Sequence, residues 1–293
     1  MTQLPPEINL ATARPDGAFR VVASRAALWF EPGDAVLIVS FDNLATIDTP
    51  YPRPAWLRDR ILAMGHSILG VQSFAKDWHR NGDSADLLRR LEATGFFTKY
   101  RRIVFIGASM GGMGALNLAT LVPGAAVIAL SAQSTMNREI APFERRFRWA
   151  VRNSDWKTPE FLDAAKAVRD LDQVVLVYDG RMVEDRQHAE RMVGPNVTLV
   201  RLDHATHEAI RVVMKCGALV PLIEDVVALG RPGQAFWQAM RNRRAVRKWA
   251  RAFMEDVARE GHAPRIRAVA GALLKQEDYL FARRALQEVE EGG

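Results

Sequence analysis

One short segment of the sequence carries the residue types and spacing of a serine nucleophile. Gly107-x-Ser109-x-Gly111 lies directly after an apolar run typical of a strand and directly before small residues typical of a helix. So sharp a strand-to-helix turn holds the serine at the top of a sheet, and glycines flank it because Cβ atoms would collide. N–H groups at the helix start can then stabilise a developing anion. We predict catalysis at Ser109; the alternative is a tight turn with an inert serine.

Two nucleotide-binding interpretations of the same glycines fail on detail. A phosphate-binding loop needs Lys and then Ser or Thr after its last glycine, but Met113 and Gly114 follow Gly112. The dinucleotide pattern needs a third glycine where Asn117 stands. No nucleotide is therefore expected at this turn, and no cofactor is implied, because a serine, an imidazole and a carboxylate supply their own acid–base chemistry.

A serine hydroxyl is a weak nucleophile until a neighbouring base takes its proton, so the sequence must supply an imidazole and a carboxylate. Asp179 and Asp185 follow one later predicted strand, and His204 and His207 follow the next. We predict His207 as the base, since it lies a short loop beyond its strand, and Asp185 as the acid, where a loop meets the next helix. Asp179 and His204 are the alternatives. His204-x-x-His207 lacks a third ligand at suitable spacing, so no metal is predicted.

An oxyanion produced by attack on a carbonyl needs two hydrogen-bond donors. The backbone N–H of Met110, directly after the serine, is the first candidate. The second is expected in the loop after an early strand, where the N–H of Asn43 or of Asp42 is the candidate.

Apolar runs of strand length alternate with helical patterns through most of the chain, which predicts a mostly parallel sheet flanked by helices. The predicted strands are 20–23, 26–30, 35–41, 67–72, 103–106, 125–130, 174–178 and 197–202. The predicted helices are 84–93, 112–121, 159–171, 185–193 and 207–216.

Two regions fall outside this alternation. Residues 132–172 separate two predicted strands of a main domain at 1–230 by far more than an ordinary connection. Residues 231–293 read as a helical C-terminal extension. The extension holds 13 Arg or Lys against 8 Asp or Glu, so its net charge of 13 − 8 = +5 supplies most of the +6 of the chain.

The basic extension and the composition bear on partners and compartment. The residues of the extension that could contact an anionic membrane or nucleic acid are Arg243, Arg244, Arg247 and Lys248, with Trp249 between them, but no nucleic-acid module is recognisable. Packing against the main domain or against a second copy of the chain is the preferred interpretation. A single cysteine, Cys216, and an N-terminus without a basic-then-apolar signal pattern favour the cytoplasm, and no apolar run is long enough to span a membrane.

Ser109 within Gly-Ala-Ser-Met-Gly-Gly, followed by the ordered carboxylate and imidazole, resembles the α/β-hydrolase superfamily over about residues 33–220. Ser-Met-Gly-Gly before Ala-Leu is similar to bacterial esterases and acyl-hydrolases. The resemblance implies an eight-stranded type of sheet with a short cap inserted at about residues 132–172. It also implies Ser109 as nucleophile, His207 as general base and Asp185 as orienting acid.

Three functions are compatible with these features. The first is hydrolysis of an ester or related acyl bond in a small or carbohydrate-linked substrate. The second is transfer of the acyl group to a carbohydrate or other alcohol, and the third is a catalytically silent scaffold. The arginines of the insert, Arg145, Arg146 and Arg148, suggest an anionic or carbohydrate-bearing substrate or, in the preferred interpretation, an ordinary solvated helix face.

Overall fold

Eight strands pair into one sheet in the computed structural model of the chain, which describes residues 4–12, 17–152 and 154–291. Part of the N-terminal segment in which no signal was predicted, and Asn153 of the insert, lie outside the described residues. The strands are β1 (Phe19–Val22), β2 (Ala26–Glu31), β3 (Val36–Phe41), β4 (Ser67–Ser73), β5 (Arg102–Ala108), β6 (Ala126–Leu130), β7 (Gln173–Tyr178) and β8 (Val197–Arg201). Every predicted strand is present, with ends that differ by at most two residues.

The sheet order is β1-β2-β4-β3-β5-β6-β7-β8. The pairs β1–β2 and β2–β4 are antiparallel, and every other pair is parallel. The parallel strands therefore end at one edge, where side chains from successive loops can meet. The mostly parallel sheet predicted from the sequence is confirmed.

Helices cover both faces of the sheet. They are α1 (Arg58–Ala63), α2 (Asp83–Glu92), α3 (Met110–Leu118), α4 (Arg148–Arg152), α5 (Ala164–Ala167), α6 (Val183–Arg191), α7 (Ala209–Lys215), α8 (Leu219–Leu229), α9 (Gln234–Ala239), α10 (Arg247–Arg259), α11 (Ala263–Leu274) and α12 (Leu280–Glu291). In β3, Val36 and Ile38 belong to the core on one face, whereas Leu37 and Val39 belong to the core on the other. Burial on both faces explains why these strands read as continuous apolar runs.

The predicted helix at 159–171 is wrong over its first half. Only α5 and a following 3₁₀ turn, Val168–Asp170, are helical. Arg80 donates hydrogen bonds to the carbonyl oxygens of Asp155, Thr158 and Glu160, which holds this stretch as a loop. The Asp163 carboxylate then accepts the N–H of Ala165 at 3.1 Å and begins the short helix.

The insert between β6 and β7 packs over the amino end of α3. Trp78, Met110, Met113, Met136 and Trp156 form a small buried cluster there, apart from the two larger cores. This cluster fixes the insert against the turn that carries Ser109. Loop conformation within the insert therefore bears directly on the geometry around the serine.

The C-terminal helices share a core with the sheet. Three of these helices place side chains in the same buried apolar cluster as Val36 and Ile38 of the sheet. The side chains are Phe236 of α9, Trp249 and Met254 of α10, and Leu273 of α11. The extension thus packs against the rest of the chain, whereas packing against a second copy stays a prediction. Within the described residues, no helix is both long and apolar enough to cross a membrane.

Candidate active site

Ser109 lies in a strained turn between β5 and α3. Its backbone angles are φ 51° and ψ −116°, outside the conformations that non-glycine residues ordinarily adopt. A Cβ on Gly107 would lie 2.1 Å from the carbonyl oxygen of Gly111, and a Cβ on Gly111 would lie 2.6 Å from that of Asp42. Glycine is therefore required at both positions, because any side chain would overlap the neighbouring backbone. The turn presents the serine side chain at the carboxyl edge of the sheet.

A continuous hydrogen-bond chain runs from Ser109 through His207 to Asp185. Ser109 Oγ lies 2.9 Å from His207 Nε2, and His207 Nδ1 lies 2.9 Å from both carboxylate oxygens of Asp185. An ionised carboxylate only accepts, so Nδ1 carries the imidazole proton and Nε2 is left to accept the serine proton. Burial opposes ionisation of Asp185, but hydrogen bonding to His207 and the charge of Arg146 lower its pKa overall.

The two alternative residues occupy other places. Asp179 accepts the N–H groups of Arg181 at 2.8 Å and Thr206 at 2.6 Å, so it braces the loop that leads to His207. His204 adopts a positive φ of 69° and packs against Trp249 instead of Ser109. Among the described residues, no group of three or more His, Cys, Asp or Glu side chains could hold a metal ion.

A second hydrogen bond to the serine comes from Gln133, which the sequence analysis missed. Gln133 Nε2 donates to Ser109 Oγ at 3.2 Å, and Gln133 Oε1 accepts the indole N–H of Trp78 at 3.0 Å. An indole nitrogen only donates, so this contact assigns which end of the amide faces the serine. Because Oγ accepts from Gln133, its own hydrogen is directed to His207. The available signal was position: Gln133 follows the carboxyl end of β6, where catalytic groups converge.

Arg146 contacts the acid of this hydrogen-bond chain. Its Nη1 lies 2.9 Å from Asp185 Oδ1, and its Nη2 lies 2.6 Å from Glu144 Oε2. Arg145 and Arg148 are exposed. For Arg146 the preferred interpretation, a solvated helix face, is wrong, because this residue precedes α4 and its guanidinium is paired with two buried carboxylates. A substrate that is anionic or carbohydrate-bearing stays a prediction. The insert reaches the site through this ion pair.

Glu144 anchors Arg146 from a fully buried position. Glu144 Oε2 also accepts from His188 Nε2 at 3.1 Å, while His188 Nδ1 accepts the N–H of Ser134 at 3.1 Å. Burial opposes ionisation of Glu144, but hydrogen bonds from His188 and Arg146 lower its pKa to about 2. Burial lowers the pKa of His188, which agrees with a neutral ring that donates through Nε2.

The predicted oxyanion donors differ in availability. Met110 is the first residue of α3, so its N–H has no carbonyl partner within the helix. The N–H of Asn43 donates to Thr46 Oγ1 at 2.8 Å, and that of Asp42 donates to the carbonyl of Val71 at 3.2 Å. An oxyanion role for Asn43 therefore requires the substrate oxygen to replace the threonine hydroxyl.

A cavity of about 480 Å³ opens beside Ser109 and His207. Its apolar wall is formed by Leu44, Trp56, Phe147, Ile210 and Met214. Trp56 thus lines the cavity, whereas Trp78 is buried in the cluster beneath the insert. The site joins a hydroxyl with a paired imidazole to an apolar space large enough for a small substrate.

Known structures resemble this chain in fold. A chain of the Glycosylation Associate Protein (Gap123) complex from Streptococcus agalactiae matches at 14% identity and a TM-score of 0.52, over 74% of this chain and 48% of that one. The capsule O-acetyltransferase of Neisseria meningitidis serogroup A matches at 10% identity and a TM-score of 0.47, over 69% of this chain and 93% of that one. Mouse alpha/beta hydrolase domain-containing protein 10 matches at 14% identity and a TM-score of 0.43, over 73% of this chain and 99% of that one.

At such identities the likeness concerns the fold alone. The strand order and the strained strand-to-helix turn at Ser109 are themselves those of an α/β-hydrolase fold. No protein-family model matches the sequence, and no curated protein matches it significantly.

The buried Glu144 carboxylate should make stability depend on pH. Its pKa is about 2 in the folded protein against 4.5 as the ordinary value, so the unfolded chain binds more protons between these limits. Its contribution is complete above pH 4.5 and is lost as the pH falls toward 2. When the pH is lowered from about 5.5 to 3, the free energy of unfolding should decrease in both proteins. The decrease should be about 1–2 kcal/mol smaller in Glu144→Gln than in the wild type. Urea unfolding at both pH values measures this difference.

Glu139→Gln is the matched control, since Glu139 is an exposed glutamate of the same insert. It should keep the wild-type pH dependence. Equal pH slopes for Glu144→Gln and the wild type would contradict the assignment of an ionised, buried Glu144.

Proposed function

We propose that this chain is a serine hydrolase that cleaves an ester or related acyl bond through an acyl-enzyme. The observation that carries the proposal is the unbroken hydrogen-bond chain from Ser109 through His207 to Asp185, in contact with an open cavity. In this proposal Ser109 is the nucleophile, His207 is the general base and Asp185 orients the imidazole and stabilises its charged form.

The geometry supports a two-step reaction. Ser109 Oγ attacks the acyl carbon while its proton passes to His207 Nε2, and the carbonyl oxygen becomes an oxyanion near the N–H of Met110. Collapse of the tetrahedral intermediate breaks the bond to the alcohol, which leaves with the proton from His207. Water then attacks the acyl-enzyme, gives a proton to His207 and releases the acid, and the proton returns to Oγ.

Two residues outside the triad have defined parts in this proposal. Gln133 touches the reacting oxygen, and its hydrogen bond stabilises negative charge on Oγ when the serine attacks and when it leaves. Arg146 acts through Asp185 and is a positioning residue, because it holds the second side of the carboxylate that orients His207.

The walls of the cavity bear on the acyl group and on the silent-scaffold alternative. Leu44, Trp56 and Ile210 favour an apolar acyl chain over a charged one. A scaffold without catalysis has no need of a base whose free nitrogen lies within hydrogen-bond distance of a strained serine. Hydrolysis and transfer to an alcohol share the acyl-enzyme, so the nucleophile is tested first.

Ser109→Ala tests the nucleophile against a closely matched serine. Ser131 also follows a parallel strand, has a positive φ of 47° and is buried, but its hydroxyl has no hydrogen-bond partner among the described residues. With short-chain p-nitrophenyl esters, Ser109→Ala should lower kcat by about 10⁴-fold or more, whereas Ser131→Ala should keep near wild-type turnover. Full turnover in Ser109→Ala would overturn the proposal, and products formed with added alcohols separate hydrolysis from transfer.

Gln133→Leu and the isosteric Gln133→Glu test the second hydrogen bond to Oγ. Gln133→Leu removes the donor, and an ionised glutamate in Gln133→Glu replaces it with an acceptor. Both variants should lower kcat about 10- to 100-fold, because a hydrogen bond to a charged group contributes about 1.5–3 kcal/mol. KM should change little, since Gln133 does not line the cavity. Wild-type kcat in the Glu variant would show that only the shape of Gln133 matters.

A further inference from the structure

A second cavity, of about 480 Å³, lies between the loop after β8 and the C-terminal helices. It shares no lining residue with the cavity beside Ser109. The residues that give it a chemical character are His204, Trp237, Arg243, Arg244, Trp249 and Phe253. Most of them belong to the basic, aromatic part of the extension, which the proposed reaction does not use.

The walls of this cavity are flat and aromatic. Trp249 and Phe253 stack with ring centroids 5.0 Å apart, and His204 meets Trp249 edge-on at 5.9 Å. The indole N–H of Trp249 donates to the carbonyl of Asp203 at 2.7 Å, which fixes the ring. Trp237 stands at the rim with 48% of its surface exposed. A planar ring bound here would cover apolar area that now faces water.

The charge of the cavity is positive and incompletely neutralised. Arg201 is paired with Asp203 at 2.6 Å. Arg243 lies 5.3 Å over the ring of Trp249 and donates a hydrogen bond to a backbone carbonyl. Within the described residues, neither the Arg243 nor the Arg244 guanidinium is paired with a carboxylate, in contrast to Arg201. Guanidinium groups match phosphate oxygens through paired hydrogen bonds, and two of them balance a dianion.

His204 adds a polar group that is free to bind. Neither ring nitrogen has a hydrogen-bond partner in the described part of the chain, although the ring is about half buried among aromatic groups. Burial lowers the pKa of His204, so the neutral ring offers one donor and one acceptor near neutral pH. The histidine considered as an alternative base therefore has a different environment, suited to ligand contact.

We propose that this cavity binds an aromatic phosphate monoester of about mononucleotide size. The ring stacks against the exposed Trp237, and the phosphate is held by Arg243 and Arg244. The volume is suitable, since small-molecule sites measure about 300–1,000 Å³. The site is independent of the reaction at Ser109, so its test does not rely on activity.

The test is isothermal titration of the whole chain with AMP and with 1-naphthyl phosphate. Arg244→Gln and Trp237→Leu should each weaken binding about tenfold or more, which corresponds to about 1.4 kcal/mol. Arg247→Gln is the matched control: Arg247 is an exposed arginine of the same stretch, outside the cavity lining. It removes the same charge and should leave affinity nearly unchanged.

The outcomes separate a built site from general attraction. Equal weakening by Arg244→Gln and Arg247→Gln would show non-specific charge attraction and overturn the proposal. Failure of both probes to bind the wild type at millimolar concentration would also overturn it. If inorganic phosphate bound as tightly as AMP and 1-naphthyl phosphate, stacking of the ligand ring would contribute nothing, and the proposal of an aromatic ligand would be overturned. All three substituted residues are exposed, so the variants should fold like the wild type.

Discussion

The close approach of backbone at Gly107 and Gly111 is the constraint on which the site depends. With Cβ atoms excluded at both positions, β5 can turn into α3 within one residue, and Ser109 is held at φ 51°. The same turn places the N–H of Met110 at the start of α3, where the first N–H groups have no carbonyl partner within the helix. The serine hydroxyl, a backbone donor and the carboxyl ends of the parallel strands thus meet at one edge of the sheet.

The environment of Asp185 links the insert to this edge. One carboxylate accepts from His207 and from Arg146, and Arg146 is in turn held by the buried Glu144. Removing one member of such a buried network leaves an unpaired charge, which costs more than the net contribution of the pair. The insert is therefore part of the structure that orients the imidazole, in addition to forming part of the wall of the cavity through Phe147.

Much of this arrangement could be predicted from the sequence. Continuous apolar runs predicted the central parallel strands, which are buried on both faces, and the glycines around Ser109 predicted its turn. The order of Asp185 and His207 after Ser109 predicted which side chains would lie together; their catalytic roles stay a prediction, as does the domain boundary near residue 230. The hydrogen bond from Gln133 to Ser109 and the ion pairs of Arg146 could not be predicted, because contacts with residues distant in the sequence set the positions of both side chains. The same holds for the loop that Arg80 keeps from becoming a helix.

Covalent labelling with a fluorophosphonate, mapped by mass spectrometry, tests the central claim most directly. A serine that is activated by His207 reacts with the probe, whereas an ordinary buried hydroxyl does not. The account predicts one adduct, on Ser109, that is lost in His207→Ala and kept in Ser131→Ala. A folded wild-type protein that takes no label, or that takes it equally in His207→Ala, would contradict the account and favour a binding scaffold.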